Sequence, residues 1–146
     1  MHMETINPDY IVGLVDGEGS FTVYVKDPDS KKKVQRRTKV EPRFFLKLIK
    51  KDKEILYELM KFFGCGNVYF QKDKRVNHQD CYRFEVSNRC DLEKIIIPFF
   101  KSNSLKLRSK NGDFEIFCKI LEMVLRKDHL NESGLRKIYN LKQKMH

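Results

Sequence analysis

Between Leu14 and Phe21 the spacing of apolar residues changes from helical to alternating, across the string Asp16, Gly17, Glu18, Gly19. Upstream, Asn7, Pro8 and Asp9 supply an N-cap, a first-turn proline and an early carboxylate, so a helix begins there. Tyr10, Ile11, Val12, Leu14 and Val15 follow, and a helix apolar nearly all round is expected to be buried on more than one side. Downstream, from Ser20 to Lys26, Phe21, Val23 and Val25 fall on one side and Ser20, Thr22, Tyr24 and Lys26 on the other, the pattern of a half-buried strand.

The same change of period recurs further on. Asp27 to Arg37 reads as a loop, with turn formers followed by basic residues. Val40, Phe44, Leu46 and Leu48 then share one face of a second strand, with Lys39, Glu41, Arg43 and Lys47 on the other and Pro42 predicting a sheet edge or bulge. Asp52 is expected to cap a helix running to about Phe63, stopped by Gly64. In a second hairpin Val68 and Phe70 would face inward opposite Tyr82, Phe84 and Val86. Asp91 is placed as the cap of a helix reaching Pro98 or just beyond. Two more helices are expected, from Asn111 or Gly112 to about Lys127 and from Glu132 to Lys144. Leu135, Ile138, Leu141 and Met145 make the last one amphipathic, so it should pack on the domain. The order predicts an α+β fold in one domain over residues 1–146, its four-stranded antiparallel sheet backed by helices on one face and open on the other.

Charge narrows the function. Thirty Lys and Arg against 20 Asp and Glu give a net charge of +10, which favours a polyanionic partner. No stretch approaches about 18 consecutive apolar residues and the first ten residues lack a signal-peptide core, so no membrane partner and a cytoplasmic or organellar location are expected. Cys65, Cys81, Cys90 and Cys118 form no Cys-x-x-Cys pair and read as free thiols, while the four histidines have no ligand or dyad spacing.

The helix-to-strand junction carries the chemistry. Carboxylates at Asp16 and Glu18 stand where a helix ends in free carbonyls and partial negative charge, an unfavourable place unless a cation joins them. Hard ions such as Mg²⁺ take such oxygen ligands together with a substrate phosphate, and glycine on both sides of Glu18 lets a backbone come close. Taken alone, such a stretch is most often a plain turn. Gly13 and Gly17, four residues apart on an apolar helix, add a surface for close helix packing. Two copies packed about a two-fold axis would bring two Glu18 side chains together, an arrangement suited to a two-metal centre.

The string Ile11 to Phe21, IVGLVDGEGSF, resembles the LAGLIDADG motif of the homing endonucleases. The element order resembles the αββαββα core of that family, here with an added C-terminal helix, and FFGCGNVYF and PFFKSNSLKLRSKNGDF resemble further family segments. The resemblance implies a site-specific double-stranded DNA endonuclease of the intron-encoded type. A single motif copy implies a homodimer on a long pseudo-palindromic site, its subunits meeting through Gly13, Gly17, Ile11 and Leu14. It implies Mg²⁺ or Mn²⁺ held by Glu18 and the carbonyl of Gly17. Asp16 matches the motif's first acid, more often structural in the family, and is a further ligand candidate. Lys110 matches the family's basic residue that steadies transition-state charge, with Arg108 as its rival. Where some members carry a water-orienting polar side chain this sequence has Ile49, which leaves that role unassigned, with Lys50 and Lys53 as candidates.

A β-ribbon in the major groove presents alternate side chains to base edges. The outward set is Tyr24, Lys26, Arg37, Lys39, Glu41, Arg43 and Lys47 on the first hairpin and Tyr69, Gln71, Arg75 and Arg83 on the second. The basic loop 31–37 and the basic tail read as phosphate contacts or solvated charge. Two other functions suit a basic surface: an RNA maturase that assists intron splicing, and a catalytically silent DNA-binding protein. Neither needs the Glu18 carboxylate.

Overall fold

Asn7 starts the first helix as its chemistry predicts: in the computed structural model its side-chain oxygen accepts from the Tyr10 amide at 2.8 Å. The structure describes residues 6–31, 38–72 and 79–146. Helix α1 (Pro8–Glu18) passes into strand β1 (Gly19–Val25) with no connecting residue. Gly19 permits this close junction, since a Cβ there would lie 2.7 Å from Val15 Cγ1 and 2.9 Å from the Val15 carbonyl. Strand β2 (Val40–Ile49) pairs antiparallel with β1, and a 3₁₀ turn (Lys50–Asp52) leads to helix α2 (Lys53–Phe63). Gly64, at φ 68°, ends α2 in the left-handed conformation that glycine adopts without strain. Strands β3 (Asn67–Gln71) and β4 (Cys81–Val86) complete a sheet of order β1-β2-β4-β3. Helix α3 (Arg89–Asp91) continues through a π turn (Leu92–Ile96) into α4 (Ile97–Ser102), followed by α5 (Arg108–Leu125), a 3₁₀ turn (Asp128–Leu130) and α6 (Glu132–Lys142). The α+β architecture is the one the sequence predicts.

All helices of the core lie against one face of the sheet. Phe21 is the hub, its ring centroid 5.0 Å from Phe44, 5.5 Å from Phe100, 5.1 Å from Phe114 and 5.3 Å from Phe117. Leu135 and Ile138 of α6 are buried, with Leu141 and Met145 half-buried against the core, so the last helix packs through the predicted apolar stripe. β2 is an inner strand and yet contains Pro42. That proline pairs with Val23 on β1, while the β4 ladder begins only at Phe44, so the edge position expected for it exists locally.

Several expectations change. Helix α1 is buried on one side: Ile11, Val12, Val15 and Asp16 face inward, whereas Tyr10 is 47% exposed and Gly13 and Gly17 are open. Asp52 precedes α2 but makes no side-chain cap bond. The helix after β4 is capped by Asn88, which accepts from the Asp91 amide at 3.0 Å, so Asp91 sits inside the first turn. Phe70 alternates toward the helical side but lies on an edge strand past the end of the core; it is 54% exposed, its ring 5.4 Å from that of Tyr82. Helix α5 begins at Arg108, one turn before the expected start, and ends at Leu125. Its N-cap residue, Leu107, contributes no side-chain bond, and the missing acceptor comes from elsewhere in the chain.

Candidate active site and nucleic-acid interface

The acceptor is Asp16. Its two oxygens take the Lys106 amide at 3.1 and 2.9 Å, and Oδ1 also takes the Leu107 amide at 3.3 Å. A carboxylate from the end of α1 thus satisfies free amides at the start of α5, where the helix dipole favours negative charge. The side chain is 8% exposed. Both oxygens are occupied by backbone, so Asp16 holds the fold together at the place where it was also considered as a metal ligand. Glu18, two residues on, is exposed at the helix end with Gly17 beside it.

Lys110 reaches the same junction. Its ammonium donates to the Gly19 carbonyl, which fixes the first turn of α5 beside the carboxyl end of α1. Ser20, Phe21, Thr22, Ser109, Lys110, Asp113 and His146 line a cavity of about 220 Å³. His146 closes it, donating its backbone amide to Asp113 Oδ1 at 2.9 Å with its ring Nδ1 3.1 Å from the same atom. Arg108 opens α5 on the exposed surface. Ile49 is 39% exposed at the end of β2, and Lys53 places its ammonium 5.4 Å from the centroid of the Tyr82 ring. Among the described residues no three His, Cys, Asp or Glu side chains cluster as a metal site.

The outer side of α1 carries two open glycines. Tyr10, Gly13, Leu14 and Gly17 follow the i, i+3, i+4, i+7 spacing of one stripe, and a Cβ added at Gly13 or Gly17 would meet nothing within 4 Å. Leu14 is half-buried there. Ile11, expected in this interface, is 0% exposed and belongs to the chain's own core, because it lies about 100° round the helix from Tyr10.

The sheet face away from the helices carries most of the expected reading residues. Pairing sets Tyr24 opposite Glu41 and Thr22 opposite Arg43. It also lines up Lys47, Arg83 and Tyr69 across three strands, with Gln71 opposite Cys81. Lys26 and Lys39 extend the first pair past the strand ends, the Lys26 amide donating to the Lys39 carbonyl at 2.8 Å. Arg37 and Arg75 lie outside the described residues.

Two side chains central to this face were not among the expected set, Phe45 and Glu85. The Arg83 guanidinium lies 3.6 Å from the centroid of the Phe45 ring and bonds Glu85 Oε1 at 2.8 Å. Arg43 approaches that same oxygen at 3.8 Å and bonds Glu41 at 3.2 Å. Strand parity could have found both: Phe45 falls between Arg43 and Lys47 on the outward side, and Glu85 is two residues from Arg83.

The cysteines that the core touches are held in the thiol form. Burial pushes the thiols of Cys65 and Cys118 up to about 11, and all four cysteines are free. His129 is buried with its Nδ1 unpaired, and burial together with the nearby Arg89 charge holds its pKa below the ordinary imidazole value.

Comparison with known proteins bears on this geometry directly. A family model described as LAGLIDADG endonuclease matches residues 11–121, from the inner face of α1 to the buried side of α5. The chain belongs to the LAGLIDADG endonuclease family. The "Probable intron-encoded endonuclease 2" of Neurospora crassa is 34% identical over 135 residues, covering 91% of this chain and 28% of that protein. The "Probable intron-encoded DNA endonuclease 1" of Mycosarcoma maydis is 31% identical over 106 residues, 73% of this chain and 34% of its own length. The chain therefore spans about a third or less of the length of these relatives. The crystal structure of the homing endonuclease I-TnaI superposes with a TM-score of 0.78 at 38% identity, over 98% of this chain and 90% of that one. The LAGLIDADG homing endonuclease I-SmaMI bound to cleaved DNA gives 0.80 at 35% identity, over 97% of this chain and 44% of that one. Helix α6 lies beyond the stretch that the LAGLIDADG model matches.

Proposed function

We propose that this chain is a site-specific double-stranded DNA endonuclease of the homing, intron-encoded type, acting as a homodimer joined through the outer face of α1. The observation that carries this reading is the contrast at the end of α1, where Asp16 is consumed by the backbone and Glu18 is left exposed beside an open glycine face. A two-fold axis along that face would bring two Glu18 carboxylates together, one from each subunit.

The donor chemistry fits a hard divalent ion. Glu18 and the Gly17 carbonyl offer oxygen only, which suits Mg²⁺ or Mn²⁺ with substrate phosphate completing the shell. Such an ion, when bound, polarises the phosphoryl oxygens and favours an attacking hydroxide at neutral pH. The chain's own groups do the rest. Lys110, held at the Gly19 carbonyl, directs a positive charge at the junction and steadies the extra negative charge as a water oxygen bonds to phosphorus and the sugar oxygen leaves. Arg108, exposed two residues earlier at the start of α5, would hold the flanking phosphate instead. Lys50 and Lys53 border the sheet end at Ile49 and are the remaining candidates for ordering water. The strands' open face lies in the major groove, with Tyr24, Lys26, Lys39, Arg43, Lys47, Tyr69, Gln71 and Arg83 toward the bases and phosphates.

Selection of cleaved sites from a random duplex library in Mg²⁺ tests the whole reading. The expected product is a set of near-palindromic sites cut by the wild-type chain and bound but uncut by Glu18→Gln. Equal cutting by Glu18→Gln sinks the mechanism. Retention of intron RNA without DNA cleavage in Mg²⁺ or Mn²⁺ would favour a splicing role.

A further inference from the structure

On the open sheet face four charged side chains alternate in sign: Glu41, Arg43, Glu85 and Arg83. Consecutive members are 3.2 Å, 3.8 Å and 2.8 Å apart. Arg83 donates to Glu85 Oε1, Arg43 comes near the same oxygen at a charge-pair distance beyond hydrogen-bond length, and the Glu85 side chain is only 15% exposed. Beneath Arg83 the Phe45 ring lies 3.6 Å from the guanidinium, and Phe45 and Glu85 face each other directly in the β2–β4 register. The Arg83 Nε is buried with no partner. The guanidinium is thus clamped on its flat side by an aromatic ring and on one edge by a carboxylate, which leaves its orientation little freedom.

We infer that Glu85 is the specificity-determining positioning residue of this interface, holding Arg83 in a fixed orientation against the Phe45 platform and drawing Arg43 toward the same carboxylate. This rests on the proposed DNA-binding role. A free arginine on a basic surface turns readily to the nearest phosphate, gaining affinity without sequence information. An arginine held by a carboxylate keeps only some donors for a base edge, the fork that matches guanine O6 and N7. The carboxylate also repels phosphate, so Glu85 lowers general attraction to DNA while sharpening what the two arginines accept. A basic face would be expected to exclude an acid at its centre unless the acid had such a task.

The test uses a random duplex library retained in Ca²⁺, with wild-type chain, Glu85→Gln and Arg83→Lys. Glu85→Gln is expected to hold the unselected library more tightly, with the salt slope of binding steeper by about 1–2 as freed guanidinium groups find phosphates. Its retained pool should lose roughly 10-fold or more of the base preference at the positions the two arginines face. Arg83→Lys keeps the charge and should lose preference at a subset of the same positions, without the gain in general binding. Unchanged base preference and salt slope in Glu85→Gln, with wild type still selecting a site, overturns this inference alone. Failure of the wild-type chain to retain duplex DNA overturns the DNA-binding role and this inference with it. Should Glu85→Gln fail to fold, Arg83→Lys decides: preference unchanged overturns the inference, and preference lost at those positions supports it.

Discussion

The two sides of α1 have the same helical geometry and opposite fates. The inner side, Ile11, Val12 and Val15, is sealed in the core and ends in Asp16, whose carboxylate ties down the start of α5. The outer side carries exposed Tyr10, Gly13 and Gly17 with Leu14 half-buried between them, and ends at exposed Glu18. Two acids two residues apart thus stand in opposite settings: one accepts backbone amides of a distant segment, and the other is exposed, the position in which the proposed function uses it. The lesson is that a carboxylate at a helix end signals catalysis only after its backbone partners have been accounted for.

The largest effect should come from the outer side. Glu18→Gln is expected to lower cleavage by about 10³-fold or more, as loss of a metal ligand does, with the unfolding midpoint unchanged because the side chain is exposed. Single-turnover cleavage beside urea denaturation separates the two readouts, and a matching loss of stability would blur the division drawn here. On the inner side, Ile11→Ala should cost about 2–4 kcal/mol of stability from the cavity it leaves. Asp16→Ala should cost about 2–3 kcal/mol, since buried amides lose a charged acceptor. If Asp16→Ala kept full stability and lost only cleavage, the roles of the two acids would have to be exchanged.

Gly13 sharpens the comparison with effects of opposite sign. Gly13→Ala removes backbone freedom in a helix and should raise monomer stability by about 0.5–1 kcal/mol. Gly13→Leu should weaken self-association by roughly 10-fold, a difference that sedimentation would read as about 1.4 kcal/mol. Dimerisation unaffected by leucine would move the interface off this face. The smallest effect lies away from α1, at His129. In the unfolded chain its imidazole gains a proton as pH drops below about 6.5, whereas the buried ring resists protonation. Stability should therefore fall as pH drops below about 6.5, toward the depressed folded value, and denaturation of His129→Gln at several pH values should show a shallower slope.

Much of this molecule was legible from one sequence. The change from helical to alternating spacing at Gly17–Gly19, the Asn7 cap, the Gly64 stop and the strand parities all act over a few residues, and the structure follows them closely. Local chemistry also set the apolar stripe of α6 and the side of the sheet that stays open. Tertiary structure decided the rest. Helix α5 starts a turn early because Asp16, 90 residues away, caps it, and no local pattern around Leu107 announces that. Ile11 turned inward because two apolar sides of one helix competed for a single core. Lys110 matches a family position in the sequence, and only the packing of α5 against β1 brings its ammonium to the Gly19 carbonyl. Phe45 and Glu85 gain their meaning from strands 40 residues apart in the chain, placed side by side. Periodicity is written within a few residues of itself, whereas a hydrogen bond between distant segments exists only once the chain has folded.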